Sequence, residues 1–177
     1  MTRSTTMRWL LLLLAFLTVP ALAETRNPGE YFFQPKMGDL KGDLADARQA
    51  GKTGILLMFE MDDCPFCERM KNTVLNQRQV QDYFRQHFII YPMDTRGSVE
   101  LTDFKGKNTT EKAFALEQRA RATPTFIFYD TAGNEVTRFT GITQTADEFM
   151  LLGRYVVTGE YQKAPFNVYK KQARAAR

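Results

Sequence analysis

Cysteine, histidine and tryptophan are scarce: the 177 residues hold two, one and one of them. Two cysteines exclude a small domain stapled by several disulfides, which would carry more of them, spread along the chain. Together with the lone His87 they also fall short of the roughly four ligands of a structural zinc site. His87 reads more simply as a surface residue at the end of a helix. Neither sign of charge dominates, with 24 Lys and Arg against 20 Asp and Glu. That balance gives no reason to invoke a nucleic acid partner. Beyond residue 23 no apolar run nears the ~20 residues that span a bilayer. No internal repeat or second domain is visible, and the length suits one domain with one core.

The one long apolar run opens the chain. Arg3 and Arg8 flank its start, residues 9–17 read WLLLLLAFL, and Ala21-Leu22-Ala23 has the small-x-small pattern that signal peptidase reads. The run is too short for an anchor and is broken by Thr18 and Pro20. Residues 1–23 are therefore expected to be an export signal cleaved after Ala23, leaving a net charge of about +2. No cysteine follows the site, so no lipoprotein anchor is indicated. Residues 24–37 read as a lead-in whose Tyr31-Phe32-Phe33 cluster packs onto the domain edge. Residues 38–160 form the domain. Residues 161–177 carry Lys163, Lys170, Lys171, Arg174 and Arg177 without an acid. They read as a mobile, solvated tail, with docking to an anionic partner or membrane surface as the alternative.

Within the domain, Leu40, Leu44 and Ala47 recur at helical spacing before Gly51 and predict a helix over 39–50. Residues 55–59 (ILLMF) are a short unbroken apolar run, the signature of a strand buried on both faces. A helix opens at Pro65, where the missing N–H costs nothing, with Met70, Val74 and Leu75 inward. A second helical piece over 77–86 carries Val80, Tyr83 and Phe84. Residues 88–91 read as the next core strand, ending near Asp94, and 96–110 as an inserted loop. A helix over 111–121, a strand over 125–129, a turn at 131–134, a strand over 135–140 and a helix over 145–157 complete the chain. Strands separated by helices imply parallel crossovers, and the closing hairpin is antiparallel. The order predicts an α/β thioredoxin fold, a central mixed β-sheet flanked by helices.

A Cys-x-x-Cys pair alone reads as half a zinc site, a structural bridge or a redox pair. A bridge closing so small a loop constrains the chain little. Cys64 and Cys67 follow a buried strand and open a helix, where backbone N–H groups and the helix dipole favour a thiolate. The thiolate is the attacking species in disulfide exchange, so this placement points to redox chemistry. Asp62 and Asp63 oppose the dipole, which biases the pair toward a reducing poise; two solvated, screened aspartates at a helix start are the alternative.

Strand, Cys64-Pro65-Phe66-Cys67, helix, and then Thr123-Pro124 ahead of a strand resemble the thioredoxin superfamily. Within it the chain most resembles periplasmic thioredoxin-like proteins of the SoxW type, through Phe59-Glu60, Asp63-Cys64-Pro65-Phe66-Cys67 and Ala122-Thr123-Pro124-Thr125. The resemblance covers about residues 38–157 and implies roles for the site. Cys64 is implied as the exposed attacking thiol and Cys67 as the resolving thiol. Pro124 is implied as a cis-proline facing them, and Thr123 as a backbone partner for an extended substrate peptide. Pro65 and Phe66 line the substrate side. The chain departs from thioredoxins proper at Asp63, at Pro65-Phe66 and at Met58, which stands in place of a buried aspartate. Residues 88–91 also lack the lysine usual on that strand. Glu60, on the same strand face as Met58, is a candidate relay for the Cys67 proton; a solvated glutamate at a strand end is the alternative.

The resemblance implies an exported thiol–disulfide oxidoreductase, acting as a monomer in the periplasm. Protein disulfides would be its substrates, a membrane thiol reductant its electron donor, and no metal or organic cofactor is needed. A dithiol oxidase or disulfide isomerase is the alternative enzyme, and a non-catalytic peptide-binding adaptor the alternative from another class.

Overall fold

The computed structural model describes residues 24–175. The expected export signal and residues 176–177 of the tail lie outside the described residues. In chain order the elements begin with α1 (Pro28–Tyr31), α2 (Leu40–Gln49), β1 (Gly54–Glu60) and α3 (Pro65–Met70). A π turn (Lys71–Leu75), α4 (Arg78–His87), β2 (Phe88–Asp94), β3 (Glu100–Thr102) and β4 (Asn108–Thr110) follow. The chain closes with α5 (Glu111–Glu117), β5 (Thr125–Asp130), β6 (Glu135–Thr140), α6 (Ala146–Val157), a 3-10 turn (Glu160–Gln162) and α7 (Phe166–Ala175).

Side-chain alternation along β1 divides the core in two. Leu56 and Met58 face α3, α4 and α6, while Ile55, Leu57 and Phe59 face α2 and α5. All five are fully buried, as the unbroken apolar run predicts. On the first face Phe84 stacks on Phe149 with centroids 4.5 Å apart, and Phe32 and Phe126 close around them. On the second, Phe59 stacks on Phe114 at 6.2 Å. The sheet order is β2-β1-β5-β6. A Cβ at Gly54 would lie 1.8 Å from the Tyr129 carbonyl oxygen, so β1 can start against β5 only with glycine there.

Several expectations are corrected. The parallel crossover holds for β1 and β2, but β5 enters antiparallel to β1. Residues 96–110 are not a plain loop: β3 and β4 pair as a short hairpin. Asp103 Oδ1 accepts from Lys105 N and Lys107 N at 2.8 Å each at its turn, and Leu101 is buried beneath it. Helix α5 ends at Glu117, because Arg119 turns left-handed at φ 56°. The lead-in does more than touch the domain edge, since Phe32 is fully buried between Phe84 and Phe149.

The basic tail is not free either. Phe166 and Tyr169, three residues apart on α7, place their rings 5.4 and 5.3 Å from that of Tyr155. Lys170 Nζ reaches Glu148 Oε1 at 2.7 Å. Among the described residues no helix is long and apolar enough to cross a membrane.

Candidate active site

At the C-terminal end of β1 the chain turns through Asp62 and Asp63 into α3. Asp63 takes a left-handed φ of 58°, a conformation that the short Asp side chain tolerates better than most. Cys64 is the N-cap of α3, and its Sγ accepts from Cys67 N at 3.1 Å. Pro65 occupies the first helical position. The two sulfurs are joined as a disulfide, with Cα atoms 5.2 Å apart. The sulfur therefore sits among the N–H groups of a helix start, where negative charge is favoured. Below it, Cys67 and Met70 enter the first core face.

The loop before β5 closes over the pair. The Thr123–Pro124 peptide is cis, and Thr123 Oγ1 donates to Cys64 Sγ at 3.2 Å. The loop is braced at both ends: Gly141 N donates to Pro124 O at 2.8 Å, and Thr125 Oγ1 donates to Ala122 O at 2.7 Å. Residue by residue, Cys64, Cys67, Thr123 and Pro124 converge, with Pro65 and Phe66 on the outer side. Phe66 is 58% exposed. The expectation of an exposed Cys64 is corrected, since it is only 4% exposed. Its bond to Cys67 and the Thr123 hydroxyl cover it, and it opens only on the wall of a cleft.

That cleft, about 640 Å³, is lined by Glu60, Asp62, Asp63, Glu68 and Asp94 together with Cys64 and Lys71. Glu60 follows Met58 in facing the α3 side. Its carboxylate is engaged by Lys71 Nζ at 2.7 Å and makes no hydrogen bond to either cysteine among the described residues. Burial pulls the Lys71 ammonium toward losing its proton. The hydrogen bond and charge of Glu60, joined by Glu68, outweigh this and hold its pKa above the ordinary lysine value. Lys36, from the lead-in, is held against the Pro92 carbonyl and Glu111. Burial lowers its pKa despite the opposing charges of Asp94 and Glu60.

Sequence reasoning missed both lysines. Lys71 carries a faint signal, the three-residue spacing from Glu68 on one helix face, whereas Lys36 carries none. His87 lies at the opposite end of β1, where its carbonyl accepts from Thr53 N at 2.8 Å, so it cannot share a site with the cysteines. Among the described residues no group of three or more His, Cys, Asp or Glu is placed to hold a metal ion.

A family model described as a thioredoxin-like domain matches residues 40–157. The chain belongs to the thioredoxin-like domain family. Solved structures agree on the thioredoxin fold. A thioredoxin-fold protein from Helicobacter pylori aligns at 22% identity and TM-score 0.60, covering 70% of this chain and 85% of its own. The DsbH oxidoreductase aligns at 16% identity and TM-score 0.56, covering 77% and 92%. A thioredoxin from Thermus thermophilus aligns at 26% identity and TM-score 0.50, covering 64% and 80%. No curated protein sequence matches significantly. In this thioredoxin-like chain the Cys64–Cys67 pair, joined at a helix start, matches the arrangement of thiol–disulfide oxidoreductases.

Proposed function

We propose that the protein is an exported thiol–disulfide oxidoreductase that reduces protein disulfides in the periplasm, in the manner of SoxW-type proteins. The observation that carries this reading is the Cys64–Cys67 pair at the start of α3, facing Thr123 and Pro124 across a 3.2 Å hydrogen bond. In the reduced protein the Cys64 thiolate attacks one sulfur of a substrate disulfide. The substrate bond breaks, and its leaving thiolate takes up a proton. Cys67 then loses its proton, attacks Cys64 Sγ and forms the intramolecular disulfide. The second substrate sulfur leaves as a thiolate and is protonated in turn. Two electrons and two protons have passed from the dithiol to the substrate.

Glu60, which lines the cleft on which Cys64 opens, is assigned the proton of Cys67. Thr123 and Pro124 hold the substrate strand, and no hydrogen bond among the described residues occupies the Thr123 backbone. Pro65 and the exposed Phe66 offer apolar contact beside the sulfur. The sequence of residues 1–23, which reads as an export signal, supports the periplasm. Regenerating the dithiol in an oxidising compartment requires a thiol reductant, which we assign to the membrane. The protein acts as a monomer.

The test is the equilibrium of the Cys64/Cys67 pair against glutathione redox buffers, with thiol trapping in cells. A midpoint more reducing than glutathione, with free thiols in vivo, is expected. An oxidising midpoint overturns the reductive direction and makes the protein a dithiol oxidase or isomerase. Cys64→Ser should reduce disulfide reductase activity to background, and Cys67→Ser should accumulate the mixed disulfide with substrate. A parent without reductase activity, whose peptide binding and function in cells Cys64→Ser leaves unchanged, would be only a peptide-binding adaptor. Glu60→Gln should slow the resolving step by about 10²-fold, the lower end for general acid–base catalysis. A resolving step with an unaltered pH profile removes Glu60 from the relay.

A further inference from the structure

The redox cleft contains an ion pair whose cation has no part in the exchange reaction as proposed above. Glu60 closes β1, and Lys71 opens the π turn that follows α3. Their side chains are 17% and 26% exposed and meet at 2.7 Å, and both line the cleft on which Cys64 opens. A π turn inside a helix often marks a functional position. This one follows directly on the helix that carries both cysteines. The other charges facing Glu60 are Glu68 from α3, Asp62 and Asp63 from the connecting loop, Asp94 from β2 and Lys36 from the lead-in. Among the residues lining the cleft, Lys71 alone is cationic, against five carboxylates.

We propose that Lys71 is a positioning residue of the redox pair, whose ammonium balances Glu60 across the cleft and so sets how readily Cys64 forms its thiolate. This inference rests on the function proposed above. When the disulfide takes up two electrons and two protons, two thiols form, and Cys64 then releases one proton to solution as its thiolate forms. That new negative charge appears in a half-buried, largely acidic cleft, where charges are screened less than in open water. The paired Glu60 and Lys71 are together neutral toward it. Removing Lys71 exposes the thiolate to an uncompensated carboxylate and disfavours it. Removing the Glu60 charge leaves the Lys71 ammonium only its longer, 3.5 Å pairing with the more exposed Glu68, so more of its charge acts on the thiolate and favours it. Removing both charges restores neutrality. A more readily formed thiolate also stabilises the reduced state, so the glutathione equilibrium follows the same order.

The experiment uses the reduced chain and measures iodoacetamide alkylation of Cys64 against pH at low salt, together with the glutathione equilibrium. At a fixed pH below the midpoint, Lys71→Met should slow alkylation by about three- to tenfold. Glu60→Gln should accelerate it by a similar factor, and the double variant should return to within about twofold of the parent. Lys71→Arg should stay close to the parent, and added salt should compress all the differences. A role in packing alone predicts single variants that move in the same direction and a double variant that is worse than either. That result, or no shift at all, overturns the inference. Should Lys71→Met fail to fold by circular dichroism, Glu60→Gln and Lys71→Arg decide it: an unaccelerated Glu60→Gln overturns the proposal. A pair that exchanges with glutathione in no variant, the parent included, defeats the redox reading itself. Normal exchange without opposed shifts defeats only the role of Lys71.

Discussion

Asp43 lies on the buried side of α2, 7% exposed, with Oδ1 accepting from the Tyr91 hydroxyl at 3.0 Å. Its Oδ2 has no hydrogen-bond partner among the described residues. Burial pushes its pKa above the usual carboxylate value, helped by Asp39 and Asp46 and opposed by the Tyr91 hydrogen bond. A carboxyl raised in the folded state favours folding when protonated. That contribution is complete below the unfolded value and is lost as pH rises through the folded one. Asp43→Asn keeps an oxygen for Tyr91 and removes the charge. Urea unfolding should show the variant about 1 kcal/mol more stable at pH 7, with the gain shrinking as the pH approaches the ordinary carboxylate range. A loss of stability at pH 7 would mean that the charge itself holds α2. The residues of the site were legible to different depths for related reasons. Cys64 and Cys67 declare themselves by a three-residue spacing, and the strand alternation that buries Met58 turns Glu60 toward α3. Lys71 reaches Glu60 only through the folded juxtaposition of β1 with the π turn. Nothing local in the sequence encodes that meeting.

Helices show the same division between local signal and assembled packing. The stripes of α2, α4 and α6 were readable because Leu40, Leu44, Ala47, Val80, Phe84, Phe149, Leu152 and Val156 recur at helical spacing, and all are buried. The β3–β4 hairpin has only three residues per strand, too few for a period-2 signal, and depends on the Asp103 side chain. The π turn is equally silent, because the apolar residues Met70, Val74 and Leu75 also satisfy an ordinary helix. Two substitutions probe α6. Thr145 caps it, its Oγ1 accepting from Glu148 N at 3.2 Å, so Thr145→Ala should cost about 1 kcal/mol in urea unfolding. Gly153 is where α6 crosses α4: a Cβ there would lie 2.7 Å from Phe84 Cζ and 2.9 Å from Tyr83 Cε1. Although alanine is the better helix former, Gly153→Ala should destabilise the protein by about 1–3 kcal/mol, because the stacked Phe84 and Phe149 cannot yield without opening the core. A stabilised variant would show that the two helices can separate freely.

Over the whole molecule, both ends of the described chain fold onto the sheet face that carries the cysteines. Phe32 from the lead-in enters among Phe33, Phe84 and Phe149, while Phe166 from α7 rests on Phe139 and Tyr155. Cys67 and Met70 belong to that same core. The residues flanking the family match of 40–157 are thus part of the unit that holds the cysteine-bearing helix α3. Their depths differ, and so should their weights. Phe32 is fully buried and Phe166 only half-buried. Phe32→Ala should cost about 3–5 kcal/mol, the range for deleting a core aromatic ring, and Phe166→Ala about half as much. For a domain of this size the first corresponds to a fall in Tm on the order of 10 °C. Because Phe32 packs into the core that also holds α3, its loss should lower a single unfolding transition seen alike by far-ultraviolet circular dichroism and by protection of the Cys64–Cys67 disulfide from external reductant. Two separated transitions in Phe32→Ala, with the disulfide still protected after the first, would show that the lead-in is an independent appendage.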